Sequence, residues 1–269
     1  MSNRLPGSHF LRNLVTRRSL LFQLVRRDFQ QRFVGSAAGW VWAVIHPLVL
    51  LLSWTFVFSF CLKTPLPPGQ PGNYPLFLFA GMLPWLLFSE TIQRSSTSLI
   101  DHAGLITKTV FPAEVVPVSV FLSSLVSHLA ALLLVILAAA FWLNQISPSL
   151  LFLPIYMGLL GMLAVGIGWI AAGLQVYLRD TAQFLSVVLT FWFWLTPILI
   201  TEDKFPRRLQ FLITGNPLAY FVRAYRDTLL SARLPKWEDL AVAAVCATAA
   251  FVIGGLFFRY MKRGFADVL

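Results

Sequence analysis

The residue types that most often carry out enzyme chemistry are few in this sequence and lie far apart. The four histidines are not spaced as metal ligands, and neither an HExxH motif nor a paired set of carboxylates accompanies them. They are His9, His46, His102 and His128. The sequence also lacks a GxxxxGK loop followed by Ser or Thr, so it cannot hold nucleotide phosphates as P-loop proteins do. We therefore predict no catalytic centre, no metal site and no cofactor bound by this chain.

Composition points instead to a membrane. Of the 269 residues, 58% are hydrophobic and only 12% are charged, whereas soluble domains carry about 25% charged residues. A helix needs about 20 apolar residues to cross about 30 Å of hydrocarbon. Five runs without Asp, Glu, Lys or Arg come close to or exceed that length, at residues 39–62, 115–146, 150–178, 182–200 and 240–258. A sixth, interrupted run begins near Tyr74 and continues past the charged residues Glu90 and Arg94.

These runs predict an all-α integral membrane protein with six transmembrane helices. The predicted spans are residues 39–62, 74–92, 115–143, 150–178, 182–200 and 237–260, between an amino-terminal arm (1–38) and a short tail (261–269). An even number of spans places both termini on one side. Of the 21 Lys and Arg residues, 13 fall on that side and 8 on the other. Because cytoplasmic segments are enriched in basic residues, both termini are predicted to be cytoplasmic.

Ionisable side chains are scarce inside the spans. Ion-coupled carriers bury several such groups near the middle of the membrane, but the uncharged runs contain only His46 and His128. We predict that His128 makes a hydrogen bond between helices, with a proton relay as the alternative. Glu90, near the inner end of the second span, is predicted to be interfacial, with a gating role as the alternative.

The segment from residue 16 to residue 34 has the pattern of an amphipathic helix. Its apolar stripe comprises Phe22, Val25, Phe29 and Phe33, and its arginines fall largely elsewhere around the helix. We predict a helix in the membrane interface with its arginines among lipid headgroups, and a merely basic flank is the alternative. The net charge of +10 lies in such short flanks, so membrane lipids rather than nucleic acid are the predicted partner.

Residues 201–236 are too polar to span the membrane, yet they contain two helical signals. Pro206 suits the first turn of a helix that ends near Gly215, and Asn216 followed by Pro217 suits the start of another. In the second helix, Leu218, Phe221, Tyr225 and Leu229 share a face, and Arg223 and Arg226 are predicted to project elsewhere. We predict two short re-entrant helices in the outer leaflet between spans five and six, with a folded cap in water as the alternative.

Four stretches of the sequence carry a family resemblance. They are LVRRDFQQRFVGSAAGWVWAVIHPL (24–48), LITKTVFPAEVVPVSV (105–120), YLRDTAQFLSVVLTFWFWLTPI (177–198) and NPLAYFVRAYRDTLL (216–230). Together they resemble the permease subunit of bacterial polysaccharide ABC exporters, which include O-antigen, capsule and teichoic-acid transporters. The resemblance implies a homodimer in the bacterial cytoplasmic (inner) membrane, docked to two nucleotide-binding ATPase subunits that bind ATP and Mg. It also implies a lipid-linked polysaccharide as cargo.

The resemblance further implies roles for particular residues. ATPase coupling is expected at Asp28, Arg94, Asp101, His102, Leu105 and Lys108. Substrate entry is expected at Arg26, Arg27 and Arg32, which would meet the pyrophosphate of the lipid-linked glycan. The candidate channel-lining aromatics are Trp54, Phe58, Phe191 and Trp194, for each of which lipid or core contact is the alternative. The outer re-entrant helices are represented by Arg223, Tyr225 and Arg226.

Two other functions compete with polysaccharide export. A drug or small-lipid efflux permease of the ABC superfamily would have similar spans and a similar inner loop. A membrane-embedded acyl- or glycosyltransferase would also be apolar and basic, but it should place clustered His, Asp or Glu residues at a cavity. The sequence shows no such cluster.

Overall fold

A computed structural model describes residues 18–32, 39–108, 111–144, 148–199, 201–231, 233–234 and 236–268. Within these ranges the regular secondary structure is entirely helical, without a strand. Phe33, from the predicted apolar stripe, lies outside the described residues, and so does the side chain of Lys108. The all-α prediction is confirmed for the described part of the chain.

Eleven α-helices are found in these ranges. They are α1 (Arg18–Gln31), α2 (Trp42–Thr55), α3 (Tyr74–Asp101), α4 (Ala103–Lys108), α5 (Val115–Leu143), α6 (Leu153–Tyr177), α7 (Thr181–Leu195), α8 (Gln210–Thr214), α9 (Pro217–Leu229), α10 (Trp237–Met261) and α11 (Phe265–Val268). A π-helical stretch, Phe56–Cys61, continues α2. Short 3-10 turns occur at Gly39–Val41, Pro148–Phe152, Glu202–Lys204, Arg207–Leu209 and Lys262–Gly264.

Five helical segments are long and apolar enough to cross a membrane. They are Val44–Cys61, Tyr74–Asp101, Val115–Leu143, Pro148–Tyr177 and Trp237–Gly264. The chain is therefore a multi-pass membrane protein by the length and composition of its helices. The predicted count of six is not reached on this criterion, because α7 has 15 residues and measures only about 22 Å at 1.5 Å per residue. The sixth span stays a prediction.

The reason for the shortness of α7 is local. The uncharged run predicted a span to residue 200, but Thr196 has an extended backbone with ψ of 132° and ends the helix at Leu195. Thr196 precedes Pro197, and the proline ring disfavours helical geometry in the residue before it. The predicted boundary at residue 200 is therefore wrong for the helix itself.

Helix α3 is the innermost element. It packs against α5, α6, α7 and α9, and 83% of the residues in its most apolar window are buried. The Asn73 side chain caps its start by accepting a hydrogen bond from the amide of Leu76 at 2.9 Å. In contrast, only 6% of the corresponding window in the first span is buried. The first span therefore lies at the edge of the bundle.

Helices α6 and α10 approach each other most closely through glycine. A Cβ atom added to Gly254 would lie 2.0 Å from the carbonyl oxygen of Gly166, and one added to Gly166 would lie 2.4 Å from that of Ala250. In lipid the hydrophobic effect does not drive helices together, so their association depends on close packing. Small residues such as these glycines let the two helix backbones come into direct contact. The glycine pair thus sets the distance between α6 and α10.

Helix α1 lies within the segment that was predicted to form an amphipathic helix, with its aromatic stripe toward lipid and not toward the protein. Helix α1 packs against α5, with Leu24 buried, whereas Phe22 at the start of the predicted stripe is 69% exposed. Asp28 and Arg32 lie on the packed side, where their charges find partners. The location of α1 in a membrane interface stays a prediction.

The segment between α7 and α10 contains the two predicted helical pieces. A 3-10 turn and α8 follow Pro206 and end at Gly215, and the Asn216 side chain accepts a hydrogen bond from Leu218 N to cap α9. The predicted apolar face of α9 is confirmed, since all four members are buried: Leu218, Phe221, Tyr225 and Leu229.

The prediction that Arg226 projects away from the packed face is wrong. Arg226 is only 6% exposed. Its guanidinium donates to the backbone carbonyls of Phe77, Pro197 and Ile198 at 3.3, 2.8 and 2.5 Å and lies 3.7 Å from the centroid of the Phe77 ring. The break after α7 leaves the carbonyls of Pro197 and Ile198 without helical partners, and the arginine donates to both.

Candidate functional site

Four charged side chains meet where α1, α3 and α5 come together, and we call them the four-charge cluster: Asp28, Arg32, Glu90 and Arg94. Arg94 Nη2 lies 2.7 Å from Asp28 Oδ1, and Arg32 Nη2 lies 2.6 Å from Glu90 Oε1. The cross pairs are longer, at 4.0 Å between Arg32 and Asp28 and 3.8 Å between Arg94 and Glu90. The cluster contains two positive and two negative side chains and is electrically balanced.

Two serines of α5 add hydrogen bonds to this cluster. Arg32 Nη2 donates to Ser124 Oγ at 2.8 Å, and Arg32 Nη1 donates to Ser127 Oγ at 3.1 Å. Ser124 in turn donates to Glu90 at 3.3 Å. Burial lowers the pKa of Arg32, while Glu90 raises it again in part. Hydrogen bonds to ionised groups are stronger than neutral ones, so the cluster ties three helices together.

Arg32 and Glu90 of this cluster line a large cavity, which we call the four-helix cavity. Its volume is about 840 Å³, and residues of α2, α3, α5 and α7 line it together with Arg32. The polar lining comprises Arg32, His46, Ser89, Glu90, Gln93, Ser124, Ser127 and His128, with Ser186 and Thr190 from α7. The apolar lining includes Trp42, Met82, Leu83, Trp85, Leu189 and Phe193. The cavity is therefore lined by both polar groups and aromatic rings.

His128 also lines the four-helix cavity and connects it to α9. Its Nε2 lies 3.1 Å from the hydroxyl of Tyr225 on α9, and both side chains are buried. The predicted hydrogen bond between helices is confirmed. Because Tyr225 belongs to the segment between α7 and α10, this contact brings α9 to the middle of the long helix α5.

The residues predicted for ATPase coupling fall into two places. Asp28 and Arg94 bind each other in the four-charge cluster. Asp101 is exposed and accepts a hydrogen bond from Thr97 at 3.2 Å, and His102 Nδ1 lies 2.8 Å from the Ser98 carbonyl. Leu105 is half-buried on α4. The predicted coupling residues therefore form two groups. Asp28 and Arg94 bind each other, whereas Asp101, His102 and Leu105 begin about two helical turns after Arg94.

The short α4 is supported by the end of the chain. It packs against α11, whose first residue, Phe265, is buried. Nearby, Lys262 Nζ lies 2.6 Å from Glu114 Oε2 at the start of α5, and the Trp169 indole donates to the Glu114 carbonyl at 3.0 Å. The carboxyl-terminal segment therefore packs against and stabilises the loop that was predicted to couple to the ATPase.

The arginines predicted for substrate entry separate in space. Arg26 and Arg27 are exposed on α1. Arg32 lies instead in the four-charge cluster, where Glu90, Ser124 and Ser127 occupy its guanidinium. Only the first two present their charge to an external partner.

The aromatic residues predicted to line a channel also divide. Trp54 packs edge-on against Phe79, with ring centroids 6.1 Å apart, and Phe58 packs against Tyr74 at 5.2 Å. These two rings contribute to packing between α2 and α3. Phe191 and Trp194 on α7 are 67% and 59% exposed and lie on the outer surface of this chain. Among the outer-helix residues, Arg223 pairs with Glu202 at 3.2 Å and with Asp239 at 3.5 Å.

Sequence reasoning did not assign Gln93, Ser124 and Ser127 to the site. A signal was available, because Ser124 and Ser127 share one face of an apolar helix, and Glu90 and Arg94 share one face of α3. Within the described ranges, no group of three or more His, Cys, Asp or Glu residues is placed to hold a metal ion. The site is therefore built from ion pairs, hydroxyls, an amide and aromatic rings.

Comparison with known proteins agrees with this architecture. The family model described as ABC-2 type transporter matches residues 19–230. The chain is 30% identical over 254 residues to the O-antigen export system permease protein RfbA of Klebsiella pneumoniae, covering 93% of this chain and 95% of that protein. Its identity to the RfbA permease of Myxococcus xanthus is 28% over 261 residues, covering 96% and 98%. The polysialic acid transport protein KpsM of Escherichia coli is 22% identical over 240 residues, covering 88% and 91%.

Proposed function

The chain belongs to the ABC-2 type transporter family, and we propose that it is the membrane-spanning subunit of an ATP-driven polysaccharide exporter. The observation that carries this conclusion is the match over nearly the full length of O-antigen export permeases. Its composition and its five long apolar helices suit a subunit that forms a path through a membrane. Its sequence has no P-loop, so ATP and Mg would be bound by a separate ATPase subunit.

The working assembly in this proposal contains two copies of the chain and two ATPase subunits in the bacterial cytoplasmic membrane. Apolar side chains on one side of α2 and of α7 are exposed in the single chain and support a second copy beside them. They are Leu48 and Leu52 on α2, Phe56 and Phe60 on its π-helical continuation, and Phe184, Val187, Phe191 and Trp194 on α7. In this arrangement α7 is the fifth of six spans, both termini are cytoplasmic, and α8 and α9 enter the outer leaflet.

Coupling to ATP hydrolysis is proposed to run through α4 and α3. Helix α4 begins two residues after α3 ends, so a push on α4 by the ATPase acts directly on the end of α3. Arg94 on α3 binds Asp28 on α1, and α1 would move with it. A lipid-linked glycan would approach near α1, with Arg26 and Arg27 available for its pyrophosphate.

Loss of the gene tests the proposed function directly. Deleting it in the source organism should remove a polysaccharide from the cell surface and leave polymer inside the cell, and the restored gene should reverse both changes. A tagged chain purified from its own membranes should bring an ATPase subunit with it. Unchanged surface polysaccharide would contradict the proposal. ATPase stimulation by lipophilic drugs and not by lipid-linked glycan would indicate an efflux permease instead.

A further inference from the structure

We propose that the four-helix cavity binds a neutral sugar unit of the exported glycan, and not the phosphate of its lipid carrier. The proposal rests on the function given above and assigns part of the glycan to a site within each protomer. Glu90, Gln93 and Ser127 would hydrogen-bond the sugar hydroxyls, and Trp85 and Phe193 would pack on its apolar face.

The charge balance of the cavity argues against an anionic occupant. Among the described side chains that line it, Arg32 is the only Lys or Arg and Glu90 the only Asp or Glu. These two are paired at 2.6 Å, and the neighbouring Arg94 is paired with Asp28 at 2.7 Å. A phosphate would have to compete with Glu90 for Arg32 and would lie beside that carboxylate. A neutral ligand leaves every ion pair intact.

The remaining polar groups suit hydroxyls. Gln93 Nε2 donates to the Ala182 carbonyl at 3.2 Å, which leaves a second amide hydrogen and the side-chain oxygen for a ligand. The hydroxyls of Ser89 and Thr190 donate to the carbonyls of Leu86 and Ser186, and their oxygens can still accept. Ser89, Ser127, Ser186 and Thr190 bring such hydroxyls from α3, α5 and α7 to the lining. A pyranose ring carries several hydroxyls around its edge, each of which also donates and accepts. The groups of the lining can therefore bind a sugar without a net charge on either side.

The apolar wall matches the other surface of a sugar ring. Trp85 and Phe193 lie with their centroids 5.5 Å apart and their planes inclined by 59°, and both line the cavity. Aromatic rings provide a large, rigid apolar surface on which the C–H face of a pyranose can pack. The volume of about 840 Å³ falls in the range of ~300–1,000 Å³ usual for ligand sites. Size, polarity and wall chemistry thus favour the same occupant.

Photocrosslinking in cells that export the glycan tests this site. The photoreactive amino acid p-benzoylphenylalanine would replace Thr190 or Phe193, which line the cavity. Control positions are Leu137 and Phe141, which are 57% and 82% exposed on α5. We expect glycan attached to the protein, detected by antibody or lectin, in several-fold excess at Thr190 and Phe193 over both controls. Thr190 provides a second position because its side chain is exposed in the cavity and tolerates replacement better than a packed ring.

Several results would overturn the proposal. Adducts at Leu137 or Phe141 without adducts at Thr190 or Phe193 would place the glycan outside the cavity. Export that continues without any adduct from the two cavity positions would do the same. A cavity adduct that contains lipid phosphate but no sugar, by mass spectrometry, would show that the ligand class is wrong. Export is also measured in the same cells with the unmodified chain. If export does not depend on this chain, that result contradicts the proposed function instead.

Discussion

Arg94 on α3 binds both carboxylate oxygens of Asp28 on α1, with Nη2 2.7 Å from Oδ1 and 2.8 Å from Oδ2. The two residues are 66 positions apart in the chain, and their contact joins the amino-terminal helix to the innermost helix of the bundle. Both side chains are less than a third exposed, so solvent screens the pair less than it screens a surface pair. Movement of α3 would therefore carry α1 with it.

Reversal of one charge in this pair should separate the two helices. Asp28→Arg would place three positive groups around a single carboxylate, so we expect a lower apparent melting temperature of the detergent-solubilised protein and reduced export. The loss should fall between the ~0–1 kcal/mol of an exposed pair and the ~3–5 kcal/mol of a buried one. The exchanged pair, Asp28→Arg with Arg94→Asp, should recover part of the loss. Arg18→Glu, at the exposed start of the same helix, is the control, and an equal effect there would refute a specific pair.

Arg226 should be required for the position of α9, the helix on which it lies. Arg226→Leu removes the arginine donor from the carbonyls of Pro197 and Ile198, at a cost of about 1–3 kcal/mol for an unsatisfied group. We expect lower thermal stability and easier proteolysis between α7 and α10. Arg223→Leu on the same helix removes only partly exposed ion pairs and should be milder. Equal sensitivity of the two variants would show that burial of Arg226 contributes little.

Gly81 should be needed for the same contact. A Cβ atom at position 81 would lie 2.5 Å from Arg226 Nη2, so Gly81→Val should displace the guanidinium. The expected result is the proteolysis pattern of Arg226→Leu, with little further loss when the two changes are combined, because both remove one interaction. Independent, additive losses in the double variant would contradict this link.

The glycine contact between α6 and α10 can be tested with a matched pair of substitutions. Gly254→Ala would place a methyl group 2.0 Å from the Gly166 carbonyl oxygen, whereas a Cβ atom at Gly158 meets nothing within 4 Å. We expect Gly254→Ala to reduce the yield of monodisperse protein in size-exclusion chromatography and Gly158→Ala to leave it unchanged. If Gly254→Ala is tolerated as well as the control, direct backbone packing does not set the helix distance.

The contact between His128 and Tyr225 should be structural. Tyr225→Phe removes one hydrogen bond between helices, which in membrane proteins contributes about 0.6 kcal/mol on average and at most about 1.7 kcal/mol. A small drop in melting temperature with export retained is therefore expected. His128→Phe should also retain export. Complete loss of export in a stable, correctly assembled His128→Phe protein would favour the proton relay that the sequence left as an alternative.

The sequence alone was sufficient for the features that depend on local pattern. Uncharged runs of about 20 residues identify long membrane helices because unpaired backbone groups are costly in hydrocarbon. The spacing of Leu218, Phe221, Tyr225 and Leu229 was enough to predict the buried face of α9, since helical periodicity depends only on position along the chain. Asn216 and Pro217 likewise marked the start of that helix.

The tertiary structure decided which distant groups meet. Periodicity predicts that a helix has a packed face, but it does not specify what that face touches. Arg226 was therefore assigned to the outside, although it binds the carbonyl of Phe77, 149 residues away. Arg32 was assigned to an external phosphate, although Glu90 and Ser124 hold it inside the bundle. In both cases a buried charge needs acceptors, and only the packing of helices remote in sequence determines where those acceptors lie.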